Sequence, residues 1–443
     1  MLSFHALMRV PARPRIDEGK SRALSRHAGV APRADVLQSA TLNNTPAASG
    51  KNKPSLLLVS ATYAAEENRK KLAALAEHFD LTCVTCTEAR AFGLDTQLGG
   101  HEQPTGYRLI GLPTIGRPES TTRYLFRGLG KIFSATRFDI VFVEAEPWAW
   151  VRWQSWLCKM RHQRSAIFGE FTWENVERSG LKGWIHRLIY RAAAATDDFA
   201  ITGNRVAKEL FSRHGIARDR VLVAPQLGVD EGLFSPVADH GRAEARIREG
   251  ITPNAFLIGF CGRFVEEKGV LDLIDAVAAT RVAEPSRTIE LAFLGSGPLM
   301  PALSRMAQDR PWLRLLAPRP HSEVAGFMTL LDLFVLPSKP RRSGGTVWEE
   351  QFGHVLIEAM SCGVGCIGST SGAIPDVLGD EKLTFPPGDV RALTGRIVQM
   401  LKCPATGPLM RDRVLHHFTN RAVASQWETF ILARLSDRCP ATR

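Results

Sequence analysis

Two glutamates eight positions apart, Glu350 and Glu358, have the type and spacing to bind a polyol. Phe352 and Gly353 predict a turn after Glu350, and the otherwise apolar run at 355–360 predicts a helix buried against a sheet. A carboxylate in such a helix is costly unless something hydrogen-bonds it, and a sugar diol supplies two O–H donors. The pair would span roughly 12 Å if the whole segment were helical, which suits two polyol units of one elongated ligand. The alternative is a helix cap beside a surface glutamate.

Two cations, Arg263 and Lys268, follow a predicted strand at 256–261 and precede a predicted helix at 270–280. The N-terminus of a helix is itself an anion site, and Gly262 permits backbone conformations that other residues resist. Together these groups could hold a diphosphate without a metal ion. The alternative is a pair of surface cations in a turn.

The carboxylate spacing typical of divalent-metal sites does not occur, because the sequence contains no Asp-x-Asp. Transferases that hold a nucleotide diphosphate through Mg²⁺ or Mn²⁺ generally need such carboxylates, since hard cations require oxygen ligands. The sequence therefore predicts no metal and no cofactor, and leaves the diphosphate charge to Arg263 and Lys268. Fixed cations that meet charge developing on a leaving group act mainly on the transition state.

The spacing Glu-x7-Glu, with Phe-Gly after the first glutamate and Glu-Ala-Met-x-Cys-Gly at the second, resembles family 4 (group 1) of the retaining glycosyltransferases. The resemblance covers residues 54–435 and is strongest over 262–389. It implies an α/β protein of GT-B fold, in which two Rossmann-like domains face each other across a cleft and a C-terminal helix crosses back to the first domain. It also implies an enzyme that moves a sugar from a nucleotide-diphosphate sugar to an acceptor, with retention of anomeric configuration.

The resemblance assigns roles to residues of the second half of the chain. Glu358 would hold the ribose, Glu350 the transferred sugar, and the segment at Arg319 the base. The turn at 295–298 would lie near the nucleotide and the loop at 369–376 under the sugar and diphosphate. The donor-binding residues are then Gly262, Arg263, Lys268, Gly295, Gly297, Arg319, Glu350, Phe352, Gly353, Glu358 and Gly372. The catalytic residues include Arg263, Lys268 and Glu350.

A fourth catalytic candidate, Glu146, follows a predicted strand at 139–143. Members of the family often carry a His-x-His-Glu-Pro-like run here, and matching Glu146 and Pro147 puts Ala145 where the second histidine would fall. Glu146 is therefore the substitute candidate, and the alternative is a loop glutamate at a strand end. The missing histidine also keeps open a second function, a GT-B subunit that binds a nucleotide sugar without transferring it.

At 443 residues the chain is long for one hydrophobic core, so more than one domain is expected. Strands and helices alternate cleanly from about residue 256, after a polar linker predicted at 232–253. The predicted units are a basic, disordered segment at 1–53, an acceptor-binding domain at 54–232, a nucleotide-sugar-binding domain at 233–419, and a helix at 420–443 that packs back on the first domain.

A net charge of +11 suggests an acidic partner, which includes nucleic acid, anionic lipid and phosphorylated substrate. Nucleic-acid binding is disfavoured, because no recognised motif occurs and residues 1–53 alone carry nine Lys/Arg against three Asp/Glu. Residues 148–191 combine tryptophans with arginines and lysines, which is typical of a helix on an anionic membrane surface. The alternative is that the tryptophans pack inward and the charges are solvated.

The expected partners are thus a nucleotide-sugar donor and a sugar, lipid-linked or polysaccharide acceptor. Scattered cysteines fit a reducing compartment. The expected location is the cytoplasm, with peripheral contact to the inner face of the membrane as an option. No apolar run approaches the ~20 residues of a membrane span.

Overall fold

The computed structural model of the chain describes residues 53–87, 106–116, 120–237, 241–343, 346–402 and 406–438. The segment predicted to be disordered, 1–53, lies outside these ranges except for its last residue. Two parallel sheets with crossover helices follow one another along the chain. This confirms the predicted α/β architecture of two sheet-based units.

The first sheet has seven strands in the order β3-β2-β1-β6-β7-β8-β9, and every neighbouring pair is parallel. Residues 56–59 of the central strand are fully buried, as expected for a strand covered by helices on both faces. The elements are β1 Ser55–Val59, α1 Lys70–Leu75, β2 Asp80–Cys86, β3 Arg108–Leu112, β4 Thr114–Gly116, β5 Tyr124–Phe126, α2 Leu129–Ala135, β6 Ile140–Glu144, α3 Trp150–His162, β7 Ile167–Thr172, α4 Gly180–Thr196, β8 Phe199–Thr202, α5 Arg205–Arg213 and β9 Val221–Val223.

The second sheet has six parallel strands in the order β12-β11-β10-β13-β16-β17. A short antiparallel hairpin, β14–β15, leads from β13 toward α10. The elements are α6 Arg242–Arg248, β10 Phe256–Arg263, α7 Val270–Ala283, β11 Ile289–Ser296, α8 Met300–Gln308, β12 Leu313–Leu316, α9 His321–Met328, β13 Leu333–Leu336, β14 Arg341–Ser343, β15 Thr346–Trp348, α10 His354–Ser361, β16 Gly365–Ser369, α11 Ile374–Leu378, β17 Thr384–Phe385, α12 Val390–Lys402, α13 Thr406–His417 and α14 Asn420–Arg438.

The final helix, α14, packs on the first sheet. Trp427 is 1% exposed and lies between the rings of Phe142, at 5.0 Å, and Phe171, at 5.7 Å. Its indole N–H donates to the Pro225 carbonyl at 3.1 Å. The predicted return of the C-terminal helix to the first domain is confirmed.

Part of the segment predicted as a polar linker forms a helix, α6, that is bound to the second sheet. Arg246 is 4% exposed and donates to the Leu330 carbonyl at 2.6 Å and to Asp332 at 2.7 Å. The linker prediction was wrong here. The arginine-rich composition of the segment suggested exposure to solvent, but a buried guanidinium can donate to backbone carbonyls at the start of a strand.

In the basic, tryptophan-rich stretch at 148–191, two of the cations are buried inside the first domain. Arg152 is fully buried and pairs with Glu170 and Asp197, each at 2.6 Å. Lys159 is 5% exposed and donates to a backbone carbonyl. These two charges face neither solvent nor a membrane, since α3 uses them to bridge strands and loops inside the first domain.

Candidate active site

An ion pair between Lys268 and Glu350 lies at the carboxyl edge of the second sheet. Lys268 Nζ is 2.5 Å from Glu350 Oε2, and the Ser338 hydroxyl donates to the same oxygen at 2.7 Å. Lys268 ends a turn after β10, Ser338 follows β13, and Glu350 follows β15. The Trp348 ring lies 5.3 Å from the Lys268 ammonium. Because ligands of open α/β sheets bind at the carboxyl ends of strands, this convergence marks a candidate site.

The backbone of Glu350 is held by the loop after β16. Ala373 N–H donates to the Glu350 carbonyl at 3.0 Å. Gly372, the residue before Ala373, has φ +58°, and a Cβ there would lie 2.0 Å from the Glu350 carbonyl oxygen. Only glycine fits this approach, so Gly372 fixes the position of Glu350 through its missing side chain.

Three predicted donor glycines lie on neighbouring turns of the same edge. Gly262 and Gly295 face each other in register on β10 and β11. A Cβ on Gly295 would lie 2.0 Å from the Gly262 carbonyl oxygen, and one on Gly297 would lie 2.5 Å from that of Phe264. The two turns are therefore closely packed backbone, which leaves their outer face available to a ligand.

Arg263 is the last residue of β10 and borders these turns. Its side chain is 37% exposed, and Glu267 is 4.0 Å away, at the limit of an ion pair. An exposed pair at this distance contributes little to stability. Arg263 can therefore turn toward an anion at this edge at little cost.

Glu358 lies on α10 and is 5% exposed. Its Oε1 is 2.8 Å from Nε2 of His321, whereas its Oε2 is buried and has no hydrogen-bond partner. A buried carboxylate oxygen without a donor is costly, so this oxygen is suited to a ligand hydroxyl. Burial lowers the pKa of His321, but the charge and hydrogen bond of Glu358 outweigh it and the pKa is raised above its usual value.

Gly353 begins the helix that carries Glu358, with φ +80° at the N-cap of α10. It separates Phe352 from His354, whose rings lie 4.9 Å apart. The Phe352 ring also contacts Trp173 of the first domain at 5.7 Å and Phe418 at 5.8 Å. Phe352 is 6% exposed, so its ring packs between the domains and contributes to the site by holding them together.

Arg319 lies apart from this convergence. Its guanidinium pairs with both carboxylate oxygens of Glu249 at 2.7 Å, next to the end of α6. The structure thus gives Arg319 an ion-pair partner within the second domain, and no contact among the described residues joins it to Lys268 or Glu350.

Glu146 lies in the first domain, just after β6, and is 5% exposed. The Thr172 hydroxyl and the Trp173 N–H donate to its carboxylate. Burial, with Glu174 nearby, raises the pKa of Glu146 to about 8. The Trp173 carbonyl accepts from the Gln351 side chain at 3.3 Å, so Trp173 links Glu146 to the residue next to Glu350.

Several residues of the site were given no individual role by sequence reasoning. Their signals were weak, because a serine, an aromatic or an amide near a strand end is common. The residues are Ser338 and Trp348 beside the ion pair, His321 beside Glu358, and the amides of Asn175, Asn204 and Gln351, which bond across the domains. Of these residues, Trp348 could most easily have been predicted, because it lies two positions before Glu350.

A second lysine–glutamate pair, also not predicted, lies inside the first domain at the end of β6. Lys71 Nζ is 3.1 Å from Glu144 Oε1, and both side chains are fully buried. Burial lowers the pKa of Lys71 to about 8 although Glu144 acts the other way. Glu144 also accepts hydrogen bonds from the side chains of Ser60, Tyr63 and Gln226.

Two kinds of site do not occur among the residues that the structure describes. No group of three or more His, Cys, Asp or Glu there could hold a metal ion. No helix in the described ranges has both the length and the apolar character needed to span a bilayer. Metal independence remains a prediction.

The family described as "Glycosyl transferases group 1" matches residues 255–403, which contain the ion pair and Glu358. Sequence relatives include a GDP-mannose-dependent monoacylated alpha-(1-6)-phosphatidylinositol monomannoside mannosyltransferase of Corynebacterium glutamicum, 29% identical over 179 residues, 40% of this chain and 46% of the relative. A D-inositol 3-phosphate glycosyltransferase of Paenarthrobacter aurescens is 30% identical over 181 residues, 40% of this chain and 41% of the relative. The chain thus spans less than half the length of these relatives.

Solved structures extend the likeness to both domains. Sucrose-phosphate synthase from Thermosynechococcus elongatus superposes with a TM-score of 0.61 and 19% identity, over 87% of this chain and all of that one. At this identity the likeness shows the fold alone. The predicted GT-B fold and the resemblance to group 1 glycosyltransferases are confirmed.

Proposed function

Because the chain carries a group 1 glycosyltransferase domain within a GT-B fold, we propose that it transfers a sugar from a nucleotide-diphosphate sugar to an acceptor. We further propose that transfer retains the anomeric configuration and requires no metal ion. The donor binds the second domain and the acceptor the first, and the reaction takes place in the cleft between them.

One observation carries the proposal: residues distant in sequence, Lys268 and Glu350, meet at 2.5 Å on the carboxyl edge of the second sheet. Both contacts to the Glu350 carboxylate, from Lys268 and Ser338, fall on Oε2. Oε1 is then the oxygen that accepts a hydroxyl of the transferred sugar. Glu358 Oε2, buried and without a donor, accepts a ribose hydroxyl in the same way.

Lys268 and Arg263 supply the positive charge that the reaction needs. Breaking the glycosidic bond leaves additional negative charge on the diphosphate, and a fixed ammonium and guanidinium stabilise that charge as it develops. Lys268 is held by Glu350 before the donor arrives, so it is positioned in advance and needs little reorganisation. This arrangement replaces the divalent ion that other transferases use.

In the first domain, burial raises the pKa of the Glu146 carboxyl to about 8. A group whose pKa lies near the operating pH can donate or accept a proton. We assign to its ionised form the acceptance of the proton of the acceptor hydroxyl, as that oxygen bonds to the anomeric carbon and the bond from this carbon to the diphosphate breaks. The acceptor class is a sugar that is lipid-linked or part of a polysaccharide, and the Corynebacterium relative, named for a phosphatidylinositol monomannoside, supports the lipid-linked form. Cytoplasmic location is part of the proposal.

The test combines binding and turnover. A donor bound only by the native state raises the melting temperature, so a panel of nucleotide sugars in a thermal-shift assay identifies the donor. The identified donor is then incubated with the protein, with and without EDTA, and nucleoside diphosphate is measured. We expect release in both conditions, and an α-linked product from an α-linked donor by NMR.

Two outcomes would overturn parts of the proposal. Binding without any release of nucleoside diphosphate, with or without candidate acceptors, would make the chain a nucleotide-sugar-binding subunit. Release that disappears with EDTA and returns with Mg²⁺ would overturn metal independence.

A further inference from the structure

Helix α4 exposes a stripe of large apolar side chains that point away from the domain. Leu181 is 74% exposed, Trp184 53%, Ile185 45% and Leu188 44%. Their spacing of i, i+3, i+4 and i+7 puts them on one face of the helix. A surface helix of a globular protein normally turns such a stripe toward the core, so this one has the opposite orientation.

The inward face of α4 is formed by other residues. Gly183, Tyr190 and Ala193 are buried against the domain. Tyr190 contacts Phe211 at 5.2 Å and Trp148 at 6.2 Å. Because the inner face is already packed, the outward stripe is not a misplaced core and needs a partner of its own.

Cations border the stripe. Lys182, Arg187 and Arg191 are exposed, and Gly180–Thr196 contains no aspartate or glutamate. An apolar face that includes a tryptophan and is flanked only by positive charge is complementary to a surface that is apolar inside and anionic at its boundary. A bilayer with anionic headgroups has this chemistry.

We propose that α4 lies in the interface of an anionic membrane, with Leu181, Trp184, Ile185 and Leu188 inserted among the acyl chains and the three cations at the headgroups. This surface is distinct from the donor site, and lipid binding does not depend on whether the chain transfers a sugar. Within the stretch 148–191, for which the sequence suggests membrane contact, the proposal assigns that contact to α4, since α3 uses Arg152 and Lys159 internally.

The position of α4 connects this surface to the cleft. The loop before α4 begins at Trp173, which contacts Phe352 and Gln351 of the second domain. Arg178, near the end of that loop, lies 5.0 Å over the Trp148 ring and pairs with Glu174, which fixes the start of the helix. One short, anchored loop therefore joins Trp173, which contacts the second domain, to the start of the helix that carries the stripe.

The test is co-sedimentation of the full chain with vesicles of phosphatidylcholine alone or mixed with phosphatidylglycerol. We expect binding to the mixed vesicles that weakens at high salt. The variant Leu181→Ser/Trp184→Ser/Ile185→Ser/Leu188→Ser should lose binding, and Lys182→Gln/Arg187→Gln/Arg191→Gln should weaken it on the order of a hundredfold, since each cation near an anionic surface contributes about 1 kcal/mol.

A matched control removes exposed apolar area elsewhere. Val282 is 82% exposed on α7 and Leu409 is 73% exposed on α13, and Val282→Ser/Leu409→Ser should bind vesicles like the wild type. The melting temperature should be unchanged in all three variants, because the substituted side chains are exposed.

Three results would overturn the proposal. The wild type could bind neither kind of vesicle, or the four-serine variant could bind as well as the wild type. The third is self-association of the wild type without vesicles, measured by light scattering and abolished by the serine substitutions, together with no vesicle binding; the stripe would then be an interface between two copies. Donor binding in the thermal-shift assay is measured in parallel, and its failure would concern only the proposed function.

Discussion

The two domains each contain a lysine–glutamate pair, and the pairs differ in what surrounds them. Lys71 and Glu144, in the first domain, are 3.1 Å apart with both side chains 0% exposed. Lys268 and Glu350, in the second, are 2.5 Å apart with side chains 14% and 10% exposed. A pair sealed from solvent can only support the fold, whereas a pair that a ligand can reach can exchange its partner.

The neighbours of each pair support this division. Glu144 accepts hydrogen bonds from three further side chains, and Lys71 Nζ also lies 3.3 Å over the Trp427 ring. Glu350 receives one further side-chain hydrogen bond to its carboxylate, from Ser338. The same two residue types therefore serve stability in one domain and, as we propose, binding and catalysis in the other.

The largest expected effect is on stability. Lys71→Met should lower the free energy of unfolding by about 3–5 kcal/mol, because it leaves the Glu144 carboxylate buried without its counter-charge. Chemical denaturation followed by circular dichroism measures the change. Lys70→Met is the matched control, since Lys70 is 58% exposed and its pair with Asp230 should contribute at most about 1 kcal/mol.

Glu144→Gln added to Lys71→Met should recover part of the loss, because the buried charge is then removed with its partner. Equal effects of the Lys70 and Lys71 substitutions would contradict the contrast between the two pairs.

The next effect is on rate. Lys268→Met should reduce donor turnover by ~10²–10³, the usual effect of removing one fixed donor to a developing charge. The melting temperature should fall less than for Lys71→Met. The control is Lys402→Met, since Lys402 is 64% exposed and paired with Glu284 away from the site. Full turnover in Lys268→Met would remove this lysine from the mechanism.

A smaller effect is expected for alanine substitutions at two glycines, one of which holds Glu350. Comparing them separates backbone strain from the steric clash of an added Cβ. Gly372 and Gly388 both have positive φ, at +58° and +75°, but a Cβ would meet the Glu350 carbonyl at 2.0 Å only in the first. Gly388→Ala should cost about 1 kcal/mol from strain alone. Gly372→Ala should cost roughly 1–3 kcal/mol more and weaken donor binding, as measured by thermal shift. Indistinguishable variants would show that the loop after β16 does not position Glu350.

The last effect is on the pH dependence of stability, where the change over any one pH unit is small. The folded state raises the pKa of Glu146 to about 8, above its ordinary value. Glu146 therefore binds its proton more tightly in the folded chain than in the unfolded chain. Its contribution to stability is present at low pH and is lost as the pH rises through 8. The slope from one group is at most about 1.4 kcal/mol per pH unit.

Glu146→Gln should therefore flatten the fall in melting temperature between about pH 5 and 8, and the difference from the wild type should favour the variant at high pH. A parallel pair of curves would mean that Glu146 titrates normally and is not tuned for proton transfer.

The second domain was the more predictable of the two. Its predicted strand at 256–261 and helix at 270–280 match β10 and α7 within a few residues, because a buried parallel strand is followed there by a helix with a clear glycine boundary. In the first domain, the segment between β1 and β2 contains a 3-10 turn, Glu66–Arg69, followed by the short helix α1. The Arg69 guanidinium binds the carbonyls of Tyr63 and Ala64, a tertiary contact that local periodicity does not contain.

The site shows the same division. Lys268, Glu350 and Gly372 were named from the motifs that carry the family resemblance, and the structure brings them together. The burial of Lys71 could not be predicted, because it belongs to an Arg-Lys-Lys run, which is typical of an exposed segment. Its partner Glu144 is also 73 positions away in the sequence. Donor binding by Arg319 and Phe352 stays a prediction, and the structure adds that Arg319 pairs with Glu249 and that Phe352 packs against Trp173. Pattern identified the segments, whereas the direction of each side chain depended on the fold.

The placement of α14 has a consequence for biosynthesis. Because a ribosome delivers the chain from its N-terminus, the first sheet emerges long before Trp427, which fills the space between Phe142 and Phe171. Until then the nascent domain exposes an aromatic groove, and Lys71 lacks the indole that covers it. The first domain is thus completed after translation of the second, and a fragment made without α14 would need that helix fused or added in trans to become a stable unit.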